Sequence, residues 1–187
     1  MRKLCLILSL VTGAGCSDES AEPRSVTINT PNGQVVATST QIDEAPQTIT
    51  LVTGEALAKL QSQAAKAPAF ATAYLSSNTQ LELKDYDRAF RNWQASSAKQ
   101  HTNEEVVSIL GACLGEKCVA GLDMEWVTVS DHYGTDYAVR SRMTEVIGFP
   151  FASVEKRIKK NEFDFMHGIY YTLKHTIESG DSMQRGK

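Results

Sequence analysis

Apolar positions between residues 85 and 180 repeat first with a helical period, then with a strand period, then helically again. Tyr86, Phe90 and Trp93 fall at i, i+4 and i+7, one aromatic stripe on a helix of about three turns starting at Asp85. Thr102 and Glu105 form a capping box, in which each side chain satisfies the other's backbone donor at a helix start. Val106, Val107, Leu110, Cys113 and Leu114 trace the buried face of that helix. Gly111 and Gly115 cost about 1 kcal/mol each against alanine in a helix, so they are expected to admit a closely packed neighbour.

After Gly121 the period shortens to two. Residues 125–129, 137–140 and 145–147 are rich in strand formers and predict a meander of about three antiparallel strands. Residues 131–136, with Gly134, join the first two as a hairpin loop. Pro150 opens a helix that places Phe151, Val154 and Ile158 on one face. A last helix from about residue 162 is expected to bury Phe163, Met166, Tyr170, Leu173 and Ile177, with Gly180 stopping it. Upstream, Ile49 and Leu51 alternate in a short strand-like run. Thr53 then caps a helix over 55–66, and Pro68 separates this from a further turn or two at 69–74. The fold class is α+β, with helices packed on a small antiparallel sheet and C-terminal helices covering it.

The N-terminus follows another pattern. Arg2 and Lys3 precede an apolar run at 4–11, and the small residues Gly13, Ala14 and Gly15 follow. That order describes an export signal over 1–15. The run is far shorter than the roughly 18–20 residues of a spanning helix. Residues 16–47 are expected to form a tether. Within it, 25–39 reads either as an extended linker or as a hairpin turning at Pro31, Asn32 and Gly33. The domain is placed at 48–180 and a disordered tail at 181–187.

Charge and cysteines narrow the function classes. The chain holds 19 basic against 22 acidic residues, a formal charge of −3, and no basic footprint for nucleic acid. Cys113 and Cys118 sit five residues apart. A continuous helix separates their Cα atoms by about 7.5 Å, so they pair only if the helix ends or bends between them. Without pairing they are two small buried hydrophobes. No histidine adjoins them, and neither a metal nor another cofactor is expected. Lys156 and Arg157 are candidates to ion-pair with Glu116 as a structural clamp. His167 and His175 lie about 12 Å apart along one helix, too far to share a metal unaided.

Cys16 directly after the small residues resembles the bacterial lipoprotein signal, although Gly13 stands where that pattern has leucine. The resemblance implies lipidation of Cys16 and membrane attachment through it. Ser17, rather than aspartate, implies the outer membrane, facing the periplasm. Farther on, several segments resemble the bacterial family known as domain of unknown function 3806. They are Phe90 and Trp93, 110–111 with 114–116, 125–127, Asp131 with 134–136, and 150–151 with Val154 and 156–158. This resemblance implies an α+β domain in envelope-associated proteins and supplies no activity.

Chemistry concentrates at Asp131, His132 and Asp136, two carboxylates and an imidazole within six residues. The same residues suit turn geometry. No P-loop, dinucleotide glycine pattern, nucleophile elbow or zincin helix occurs in the sequence. The expected function is therefore a non-enzymatic envelope lipoprotein binding another envelope protein, with toxin immunity as a narrower version. The alternatives are an envelope hydrolase or a small-ligand module using the 131–136 loop.

Overall fold

The computed structural model describes residues 24–30, 33–39, 47–75 and 81–179. Residues 1–15, Cys16, Gly180 and the 181–187 tail lie outside the described residues. The chain divides into two units, Met1–Ala45 and Pro46–Lys187. In the first, β1 (Arg24–Thr30) pairs antiparallel with β2 (Gly33–Ser39), from Arg24↔Ser39 to Thr30↔Gly33. Of the two alternatives for 25–39, the backbone takes the hairpin.

The second unit is an α+β domain. Its elements are β3 (Thr48–Leu51), α1 (Gly54–Ala64), α2 (Ala67–Tyr74), α3 (Leu83–Ala95) and α4 (Asn103–Gly121), then β4 (Met124–Asp131), β5 (Gly134–Ser141), β6 (Ile147–Gly148), α5 (Pro150–Lys160) and α6 (Met166–Glu178). The antiparallel sheet runs β3-β4-β5-β6. It therefore has four strands rather than about three: Ile49 and Leu51 join the meander opposite Val129 and Val127. Sequence places β3 far from β4, so only tertiary pairing reveals the fourth strand.

Alternation sorts the sheet into two faces. Met124, Trp126 and Val139 share the face that meets the helices, within a core that includes Phe70, Phe90, Trp93, Leu110 and Leu114. Val127, Val129 and Ala138 share the other face, where Ile49, Ile147 and Phe149 pack against them. Helix α4 lies centrally, and its two glycines work at its contacts. A Cβ on Gly115 would sit 2.1 Å from the Trp126 ring, and one on Gly111 would sit 2.5 Å from Phe151. The first contact brings α4 onto the sheet and the second brings α5 onto α4.

Local signals set the helix ends. Thr102 Oγ1 accepts from Glu105 N at 3.2 Å, and Glu105 Oε2 accepts from Thr102 N at 2.8 Å. Thr102→Ala is expected to cost about 1 kcal/mol, read as a lower urea midpoint with an unchanged slope. Helix α3 carries a second capping box between Glu82 and Asp85, so it starts two residues before the expected Asp85. Hydrogen bonding at that backbone holds the Asp85 carboxyl below its ordinary range. Pro68 sits in the first turn of α2.

Two expectations are corrected, and the cysteines take the unpaired of their two readings. Cys113 and Cys118 lie on one uninterrupted α4 as free, buried thiols, so no disulfide forms. Burial pushes them up to about 11 and about 12 respectively. Glu116 does not clamp Lys156 or Arg157. Its Oε1 accepts from Trp126 Nε1 at 2.7 Å, while Arg157 pairs with Glu162 at 3.1 Å. Trp126, ten residues downstream, is brought onto Gly115 by the sheet and so claims the neighbouring carboxylate first. Finally, α6 starts at Met166 rather than near 162, which leaves Phe163 in the preceding loop and 38% exposed.

Candidate functional site

The expected cluster at 131–136 resolves into turn chemistry. Only His132 and Tyr133 separate the strands, because Thr135 and Asp136 pair opposite Ser130 and Val129. Asp131 Oδ1 accepts from Tyr133 N at 2.8 Å, and Gly134 turns the corner with φ 141°. The His132 ring lies against Tyr133 at a tilt of 44°, with centroids 3.6 Å apart. Asp131, His132 and Asp136 are all exposed, so no wall around them excludes water from a reaction. Among the described residues no group of three or more His, Cys, Asp or Glu side chains is placed to hold a metal. His167 lies against Tyr171 at a tilt of 39°, with centroids 4.4 Å apart, and His175 is exposed in the last turn of α6.

The chemically distinctive place is the start of α6. Asp87 is 3% exposed on the flank of the aromatic stripe of α3. Its Oδ1 accepts from Phe165 N at 3.0 Å and Met166 N at 2.8 Å, and its Oδ2 accepts from His167 N at 3.1 Å. A helix start leaves its first N–H groups without intrahelical partners, and Phe165 provides no side-chain cap. A carboxylate from another helix, nearly eighty residues away in sequence, therefore does the capping. Burial pushes the Asp87 carboxyl above the ordinary aspartate range. The three N–H groups pull it down, and the nearby Asp164 charge adds to the rise. The sequence does carry a signal for this residue: an acid set among Tyr86, Ala89 and Phe90, where the helical period places apolar side chains.

Around this cap the 161–165 loop is held by charge and ring contacts. Arg91 of α3 pairs with Asp164 and lies 5.7 Å over the Phe163 ring. Arg157 of α5 lies 5.9 Å over the Phe165 ring while it pairs with Glu162. Asn161 and Asp164 both adopt left-handed backbone, which folds the loop back between the two helices.

Beside the loop lies an open cleft of about 690 Å³, whose lining includes Arg157, Phe163, Gly168, Ile169 and Leu173. Gly168 is unlike the glycines of α4. Gly111, Gly115 and Gly121 each face a side chain that would collide with a Cβ, whereas among the described residues a Cβ on Gly168 would meet nothing within 4 Å. A second cleft of about 380 Å³ lies between α4 and α5, floored by Val107, Phe151 and Ile158 and rimmed by Glu104, Glu155 and Lys159.

No curated protein matches this sequence. A crystal structure from Bacteroides thetaiotaomicron VPI-5482 is similar over 79% of this chain and 53% of its own, with 11% identity and a TM-score of 0.51. At that identity the likeness shows the fold alone, and this chain spans about half the length of that protein. Residues 85–170, from the capping box of α3 into α6, match the model of the Domain of unknown function (DUF3806), and the chain carries a DUF3806-like domain over that segment.

Proposed function

We propose that this chain is a lipid-anchored protein of the bacterial cell envelope whose domain binds another envelope protein at the cleft beside α6. The single observation that carries the binding site is Gly168. A glycine inside a helix costs about 1 kcal/mol against alanine, and among the described residues no neighbour accounts for this one. A partner backbone approaching the cleft floor supplies the missing neighbour. Phe163, exposed at the rim beneath Arg91, offers the apolar anchor that such contacts use. The envelope address rests on Arg2, Lys3, the apolar run at 4–11 and Cys16, and the periplasm-facing outer-membrane placement rests on Ser17. Toxin neutralisation is the narrower version, consistent with the net acidity of the chain.

Two measurements test the parts separately. Radiolabelled palmitate should enter the full chain and fail to enter Cys16→Ser; equal labelling of both removes the anchor. A photo-crosslinking residue at position 163, used in intact cells, should yield one saturable adduct with another envelope protein. Gly168→Leu, which fills the cleft floor, should weaken that adduct at least tenfold while the domain keeps its melting temperature. An adduct indifferent to Gly168→Leu removes the cleft from the reading.

A further inference from the structure

We draw no further inference here: the strongest candidate, the apolar cleft between α4 and α5 floored by Val107, Phe151 and Ile158, carries nothing, because Glu155 and Lys159 on its rim pair with each other and among the described residues nothing shows what covers it.

Discussion

Asp87→Ala is expected to destabilise the domain by about 3 kcal/mol, because three N–H groups at the start of α6 lose their acceptor together. In a domain of this size that lowers the melting temperature by about 10 °C. The loss should be accompanied by faster amide exchange in the first turn of α6. Asp87→Asn is the gentler probe. Its carbonyl can still accept from Phe165 and Met166, while its amide nitrogen faces the His167 N–H as a second donor.

The pH dependence has a definite sign. Burial raises the folded-state pKa of Asp87 above its unfolded value, so the native state keeps a proton in the interval between the two. Its contribution to stability is complete below the ordinary aspartate range and declines as pH rises through the raised value. Against Asp87→Asn, which cannot titrate, the native protein should lose relative stability as pH climbs out of the ordinary aspartate range and through the raised value. Asp85 has the opposite slope, since hydrogen bonding at the Glu82 backbone lowers it, but it is common to both proteins and cancels. A native protein that gains on Asp87→Asn over that interval would show that the three N–H groups outweigh burial.

The second large effect reverses an intrinsic preference. Gly115→Ala improves helix propensity by about 1 kcal/mol, yet it should destabilise the domain by about 2 kcal/mol overall. The new methyl falls 2.1 Å from two atoms of the Trp126 ring. That ring is 2% exposed, and its Nε1 donates to Glu116, so it cannot retreat without breaking a part-buried hydrogen bond. A lower urea midpoint with altered tryptophan fluorescence checks this. Combining Gly115→Ala with Trp126→Leu should cost less than the sum of the single changes, because the smaller side chain vacates the space. Additive losses would show that the methyl and the ring do not compete.

Legibility in the sequence follows range. The aromatic stripe of α3, the Thr102–Glu105 box, the break at Pro68, the Pro150 helix start and the strands of β4 and β5 were readable because a few neighbouring residues specify each. Gly111 and Gly115 announced close approach, and the structure supplies the partners: Phe151 from α5 and Trp126 from the sheet. What the sequence concealed lies between distant residues. Ile49 and Leu51 looked like a stray strand until β4 aligned beside them. The Glu116 carboxylate went to an indole rather than to Arg157, because Arg157 had Glu162 within reach. The start of α6 was misplaced for a related reason. Its cap is Asp87 on another helix, and the N-cap position itself is Phe165, which has no side-chain acceptor to mark the boundary. At 131–136, strand pairing closed the turn to two residues and left the acids and histidine in open water.

The placement of the two thiols constrains how the chain matures. Cys113 and Cys118 sit on one rigid helix, with a rise of about 7.5 Å between them, so a bond joining them requires α4 to be unwound. A chain in which those two sulfurs are joined is therefore one in which α4 has not formed. Once α4 is packed, the same sulfurs are shielded from oxidants and alkylating agents alike.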